Sequence, residues 1–160
     1  MATFRLTIDE FDEVNYELIA IHTSLEDYHL AYFINQKFPV LLSRNKNEIQ
    51  VSTKSGETWF SRFSYEPTES EIVWDLIQNK NEITLQKSTS GKDLFSNESQ
   101  IVSACAYLLP EFRKVDYFLK IENADENADE IMKALNKIKS ISTIYAVNAN
   151  QIKSKNNLIF

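Results

Sequence analysis

Glycine is scarce in this 160-residue sequence, which contains only Gly56 and Gly91. Average usage of about 7% would give roughly eleven. The dinucleotide-binding fingerprint needs three glycines within six positions, and the P-loop needs two that are five apart. The nucleophile elbow of the α/β-hydrolases needs two that flank a serine. Because the two glycines here lie 35 residues apart, the sequence excludes all three kinds of site.

Cysteine and histidine are equally rare, and Cys105, His22 and His29 are the only ones. A tetrahedral zinc cage of cysteines and histidines needs four ligands, so these three residues cannot form one. A Ser–His–Asp or Cys–His mechanism would have to use one of the two histidines, and neither has a local partner pattern. We therefore predict no catalytic role for them, and neither a metal site nor a cofactor.

Long hydrophobic runs are missing as well. No apolar stretch approaches the 18 residues that a membrane helix requires, and no N-terminal stretch has the pattern of a secretory signal. The lone Cys105 lies in the apolar stretch 101–109 and fits the reducing environment of the cytoplasm. We expect a cytoplasmic protein without a membrane partner, with one domain over residues 1–160. Its oligomeric state is left open.

Charge is unevenly distributed along the chain, whose net charge is −6. Residues 1–36 carry −6, residues 122–132 carry −5, and residues 133–160 carry +5. Acidic clusters at positions 9–13 and 125–130 are interpreted as solvated surface, and the second also as helix capping. An acidic protein is a poor nonspecific DNA binder, because such binding depends on phosphate neutralisation. A local basic surface from the last segment remains open.

Periodicity predicts two helices and a series of strands. The first helix is expected to begin at Ser24, in a capping box with Asp27, and to run to about Lys37; the second begins at Asn127. Residues 101–109 fit a strand or a helix, residues 79–81 a turn, and the polar stretch 87–100 a long, partly mobile loop. Apolar patterns predict strands over residues 2–9, 16–22, 40–43, 49–53, 58–65, 72–78, 115–121 and 141–147. The apolar residues of 16–22 are nearly continuous, so we expect this strand to be central in the sheet, with both faces covered.

This order of elements predicts an α+β fold. Two strand–helix–strand units surround an antiparallel meander, so we expect a mainly antiparallel sheet with both helices packed on one face. The arrangement is an enlarged ferredoxin-like one.

Aromatic residues cluster in the predicted strand 58–65. Trp59, Phe63 and Tyr65 share one face of an uninterrupted strand, and Phe60 and Arg62 share the other. Exposed aromatics and arginine on such a sheet can stack single-stranded RNA bases, so Trp59, Phe60 and Arg62 are candidate RNA-stacking residues. The glycine-containing motif of RNA-recognition domains is absent, and simple core packing is the alternative.

The segment LPEFRKVDY, residues 109–117, is the most distinctive in the chain. An apolar run stops at Pro110, and a charged turn leads into a strand. Glu111 is placed to accept hydrogen bonds from exposed amides. Asp116 lies between Val115 and Tyr117, where an acid is unusual in a strand. The segment fits either a turn lock with a partly buried polar contact or a binding site.

This segment resembles the signature of the IPExxxVDY family of small bacterial proteins. Leu109 stands in place of the family's isoleucine, whereas Pro110, Glu111, Val115, Asp116 and Tyr117 match. The stretch 25–32 is similar to the family's first helix, although His29 and Tyr32 replace an arginine and a tryptophan that are commoner there. The resemblance implies no activity, because the family has no established function.

Three functions stay open at this point. The first expectation is a non-catalytic protein-binding or adaptor module, since the residues of phosphate loops, metal cages and catalytic triads are missing. The alternative is an RNA-binding or RNA-processing accessory protein, based on the aromatics and the basic last segment. The third is a small enzyme with a site at Glu111, Asp116 and Tyr117, which would require a concave pocket there.

Overall fold

A six-stranded antiparallel sheet is the centre of the fold. The computed structural model describes residues 14–54, 56–86 and 101–160. Its strands are β1 Tyr16–Thr23, β2 Ser43–Arg44, β3 Ile49–Thr53, β4 Gly56–Phe60, β5 Arg62–Tyr65, β6 Val73–Gln78, β7 Lys80–Gln86, β8 Ile101–Tyr107, β9 Tyr117–Glu122 and β10 Ile141–Val147. The order in the main sheet is β10-β1-β9-β6-β5-β2. The hairpins β3–β4 and β7–β8 form separate two-stranded sheets.

Both helices cover the same face of this sheet. Helix α1 (Asp27–Lys37) and helix α2 (Ala128–Leu135) bury their apolar sides in one core with strands β1, β6 and β9. The predicted α+β class, the mainly antiparallel sheet and the placement of both helices are therefore confirmed. Leu30, Ala31 and Ile34 form the buried side of α1, whereas Tyr28 and Tyr32 are exposed.

The opposite face of the sheet is covered too. A second core includes residues of the β3–β4 hairpin, of β8 and of the C-terminal segment. Strand β1 shows why this is required: Ile19 and Ile21 belong to the helix-side core, and Leu18 and Ala20 belong to the other. A strand buried on both sides has a nearly continuous apolar sequence. The prediction of β1 as a central strand is confirmed.

The two helix starts differ from each other. Asn127 caps α2, and its side chain accepts a hydrogen bond from the amide of Asp129 at 3.2 Å, as expected. The expected cap at Ser24 is wrong, since β1 continues through Thr23 and α1 begins only at Asp27. The hydroxyl of Thr23 instead accepts a hydrogen bond from the amide of Leu25 at 3.1 Å.

Three middle segments depart from the predictions. The strand expected over 58–65 is interrupted at Ser61, where the chain leaves the β3–β4 hairpin and enters the main sheet. The turn expected at 79–81 is wrong, because Asn79 is buried and the chain enters β7 at Lys80. The strand expected at 40–43 is confined to Ser43–Arg44.

Two further local features concern Gly56 and the stretch 101–109. Gly56 has φ 131° where the chain turns between β3 and β4, which is the backbone region that favours glycine. The ambiguous stretch 101–109 is a strand up to Tyr107. The expected strand 2–9 and the loop 87–100 lie outside the described residues. Within the described ranges, no helix is long and apolar enough to cross a membrane.

Candidate functional site

The segment 109–117 joins β8 to β9 through a 3-10 turn at Pro110–Phe112. Proline fits the first position of this turn because that position needs no amide donor. Leu109 and Val115 are buried on the helix-free side of the sheet and anchor the segment at both ends. The strand that was expected to begin at Val115 begins at Tyr117, so Asp116 lies just before it.

Glu111 fastens this turn to the C-terminal segment. Its carboxylate accepts hydrogen bonds from the amides of Lys153 and Ser154 at 2.8 and 2.9 Å, and from the Ser154 hydroxyl at 3.1 Å. Partial burial acts to raise the pKa of the Glu111 carboxyl, but the hydrogen bonds outweigh it, so this pKa lies below its ordinary value. These contacts agree with the interpretation of the segment 109–117 as a turn lock.

Asp116 connects three parts of the chain. Its Oδ2 accepts a hydrogen bond from the amide of Thr23 at 3.0 Å, and its Oδ1 lies 3.0 Å from the Nζ of Lys80. Its own amide donates to the carbonyl of Ile21 at 3.2 Å. An acid is tolerated here because a cation and a backbone amide satisfy both of its oxygens.

Tyr117 contacts the start of the first helix on the other side of the sheet. Its hydroxyl donates to the carbonyl of Leu25 at 2.9 Å. Burial, together with the nearby carboxylates of Asp27 and Asp116, raises the pKa of the Tyr117 phenol. The phenol therefore stays protonated and acts as a hydrogen-bond donor.

The polar side chains of the segment diverge. Glu111 binds the C-terminal segment, Asp116 binds the end of β1 and the start of β7, and Tyr117 binds the start of α1. Neither of the two hollows described below is lined by any of these residues. The geometry is that of a junction that holds neighbouring elements together.

Asn79 is the centre of this junction, although its sequence pattern predicts only a turn. Its side chain accepts a hydrogen bond from the amide of Leu109 at 2.9 Å. Its amide group donates to the carbonyls of Phe112 at 2.9 Å and Val115 at 2.8 Å. Its backbone amide also donates to the carbonyl of Asp116 at 3.0 Å. The only sequence feature that points to this role of Asn79 is an asparagine between two strands.

The candidate RNA-stacking residues do not form one row. Trp59 is 48% exposed on the β3–β4 hairpin, whereas Phe60 is fully buried and cannot stack on a base. Arg62 belongs to the main sheet, and its Nε lies 3.4 Å from a carboxylate oxygen of Asp75. The break at Ser61 separates these side chains, because alternation is not preserved across it.

A group of charged residues lies on the helix-free side of the main sheet. Arg62 pairs with Asp75, and Lys120 Nζ lies 2.6 Å from Glu122 and donates to the carbonyl of Leu158 at 3.0 Å. Burial raises the pKa of the Asp75 carboxyl, although the Ser64 hydroxyl and Arg62 act to lower it. These four charges cancel, and the group stabilises the docked C-terminal segment.

A separate cleft opens at the edge of the helix-side core. It has a volume of about 370 Å³ and lies between the end of α1, the loop before β6 and the loop before α2. We call it the main cleft. The ring of Phe38 lies 5.2 Å from that of Trp74, centroid to centroid. The apolar lining consists largely of Phe38, Val40, Tyr65, Ile72, Trp74 and Ile131.

Every charged residue that lines the main cleft is acidic, namely Glu69, Asp125 and Glu126. A polar side hollow adjoins it, shares Pro67 and Ser70 with it, and adds Glu66 and Glu71. In the part of the chain that the structure describes, none of these five carboxylates has an ion-pair or hydrogen-bond partner. Within the same part, no group of three His, Cys, Asp or Glu side chains is placed to hold a metal ion.

Asn123 holds the two walls of the side hollow together. Its side-chain amide donates to the carbonyl of Glu71 at 3.0 Å, and its backbone amide donates to the carbonyl of Asn15 at 3.0 Å. Its φ of 51° lies in the left-handed region, which asparagine tolerates better than most residues. The loop before α2 thereby stays next to the loop before β6.

Sequence reasoning missed this cleft. The sequence predicts a solvated acidic surface at Asp125 and Glu126, and it assigns no role to the segment 66–71. The sequence feature that points to this cleft is the segment EPTESE at 66–71, in which three glutamates lie close to one of the three prolines of the chain. Its importance depends on its position next to Asp125 and Glu126, which are more than 50 residues away in sequence.

Comparison with known proteins adds no relative. No family model, curated protein or solved structure matches this chain. The resemblance to the IPExxxVDY family therefore depends on the motif and helix residues alone, and the function has to be argued from the geometry of the chain.

Proposed function

We propose that this protein is a non-catalytic protein-binding module of the cytoplasm, and that the main cleft is its binding site. The observation that carries the proposal is an apolar cleft whose charged residues are all acidic and unpaired in the described chain. Exposed apolar surface framed by polar residues is typical of interaction sites. The side chains of Glu111, Asp116 and Tyr117 already bind other parts of the same chain, which favours binding at the main cleft over catalysis at this segment.

We further propose a ferredoxin-like core and membership of the IPExxxVDY family. The strand order β10-β1-β9-β6, with α1 after β1 and α2 between β9 and β10, supports the first proposal. The five matching motif residues support the second. Neither proposal adds a catalytic activity.

The test compares a cleft variant with a matched surface variant. Ala124→Trp places a large side chain at the main cleft, and Ala146→Trp makes the same change at an exposed position of β10. Tagged proteins are purified from the native cells, co-purifying proteins are identified, and each purified candidate is titrated calorimetrically. We expect a partner that binds the wild type and Ala146→Trp and loses affinity for Ala124→Trp.

Two results would contradict the proposal. One is a specific partner that binds Ala124→Trp as tightly as the wild type. The other is substrate turnover in a hydrolase or transferase screen that disappears in Asp116→Asn, which would favour the enzyme at Glu111, Asp116 and Tyr117. Circular dichroism confirms in either case that the variants are folded.

RNA binding is the second candidate function, and one contact favours it. Glu111 brings the C-terminal segment with Lys153 and Lys155 to the turn that carries Arg113 and Lys114. Such a basic surface would bind phosphates in a salt-dependent way. Fluorescence anisotropy with labelled single- and double-stranded RNA at low salt tests it. Absence of binding, or binding unchanged in Lys153→Ala/Lys155→Ala, would rule this candidate out.

A further inference from the structure

We infer that the main cleft binds a protein segment in which one bulky apolar anchor residue lies next to lysines or arginines. This inference rests on the proposed protein-binding function and specifies the chemistry of the partner. It follows from three features: the apolar lining of the main cleft, the sign of its charges and the position of the side hollow.

The lining favours an apolar anchor. Trp74 and Ile131 form the buried base of the main cleft, and Phe38, Val40 and Ile72 are partly exposed around it. A volume of about 370 Å³ is at the small end of the range for ligand pockets, so it suits one large side chain and its neighbours. A few buried anchor residues, aromatic ones above all, contribute most of the affinity at protein interfaces.

The charges favour a basic partner. Glu69, Asp125 and Glu126 belong to the main cleft, and Glu66 and Glu71 to the side hollow. No lysine or arginine is among the described residues that line either one. Since carboxylates without cationic partners repel one another, a segment with positive charges relieves this repulsion, whereas an acidic segment increases it. RNA is disfavoured at this surface for the same reason.

The position of the side hollow indicates where the basic residues lie. The main cleft and the side hollow share Pro67 and Ser70, so they form one continuous surface. An anchor in the main cleft therefore places its neighbouring residues over Glu66 and Glu71. The Asn123–Glu71 hydrogen bond holds that part of the surface in place before binding, which lowers the entropic cost of ordering it.

The experiment selects ligands from a phage-displayed library of random peptides on the immobilised full-length protein. Three proteins are compared: the wild type, the double reversal Glu66→Lys/Glu71→Lys, and the control reversal Glu57→Lys/Glu82→Lys. The control makes the same charge change at exposed positions of the two hairpins, away from both hollows. Selected peptides are synthesised, and their affinities are measured at low and high salt.

We expect the wild type and the control to select peptides in which a large apolar residue lies next to lysine or arginine. Glu66→Lys/Glu71→Lys should bind these peptides about ten-fold more weakly, because two attractions become repulsions. Affinity for the wild type should fall as salt rises, since exposed charge pairs are screened. Ala124→Trp should abolish binding to all of them.

The failure of this inference can be told apart from the failure of the proposed function. Peptides that need an open main cleft but show no basic preference would overturn the inference and leave protein binding intact. Equal affinity for the wild type and Glu66→Lys/Glu71→Lys would do the same. If no peptide binds in a way that Ala124→Trp blocks, the inference fails, and the proposed function fails with it unless the native partner is captured.

Discussion

Replacing Asn79 by alanine is the most direct test of the junction at residues 109–117. The substitution removes three side-chain hydrogen bonds, from the Leu109 amide and to the Phe112 and Val115 carbonyls. A typical hydrogen bond contributes about 1 kcal/mol to the free energy of unfolding, and a buried group left without a partner costs about 1–3 kcal/mol. We expect a loss of about 3–6 kcal/mol, a large part of the stability of a small domain.

Urea unfolding followed by tryptophan fluorescence measures this loss. Trp74 is 7% exposed, so its emission reports the opening of the helix-side core. The matched control is Asn47→Ala at an exposed asparagine, for which we expect a change within about 0.5 kcal/mol. A loss below about 1 kcal/mol for Asn79→Ala, or one equal to that of the control, would refute the assignment of Asn79 as the centre of the junction.

A second substitution keeps the test decisive if Asn79→Ala does not fold. Asn79→Asp retains the acceptor for the Leu109 amide but places a carboxylate against two carbonyls. The protonated carboxyl is then the favoured form in the folded state, so its pKa is raised there. Stability of Asn79→Asp should therefore decrease, relative to the wild type, as the pH rises from 4 to 7. A pH-independent difference would contradict the hydrogen-bond geometry.

Three further predictions concern the other polar contacts. Tyr117→Phe should lower the free energy of unfolding by about 1 kcal/mol in chemical denaturation, because the carbonyl of Leu25 loses its donor. Glu111→Gln should have a lower free energy of unfolding than the wild type. This difference should have its full size above pH 5 and should shrink as the pH falls through the lowered folded-state pKa of Glu111; a constant difference from pH 7 to 3 would contradict this prediction. Asn123→Ala should be less stable than Asn123→Gly by about 1 kcal/mol in thermal unfolding, since only glycine adopts the positive φ freely, and equal stabilities would speak against that strain.

Local hydrophobic patterns of the sequence predicted the helices and strands well where one periodicity dominates. The near-continuous apolar run of β1 indicated a strand covered on both faces, and Asn127 indicated the start of α2. The prediction failed at Ser61, because alternation cannot reveal that the chain passes from one sheet to another. It also failed at Ser24, because pairing with β10 extends β1 to Thr23, the residue directly before Ser24.

The main cleft and the junction could not be predicted in the same way. The side chain of Asn79 contacts residues 30 to 36 positions further along the chain, and Asp116 contacts Thr23 across 93 positions. Such contacts depend on the order of the strands, which no local pattern specifies. The segment 66–71 and the pair Asp125 and Glu126 likewise meet only after β6 and β9 have paired.

The scarcity of glycine, cysteine and histidine was sufficient to exclude phosphate loops, cysteine–histidine zinc cages and nucleophile elbows, because each of these sites needs specific residues at specific spacings. Apolar periodicity was sufficient for the fold class, because it reports which side of each element is buried. The folded chain was needed to distinguish Glu111, whose carboxylate is occupied by the amides of its own C-terminal segment, from Glu69, whose carboxylate faces a cleft without a partner in the described residues. Both are glutamates next to a turn in the sequence, and only the surroundings created by distant residues separate a structural contact from a binding surface.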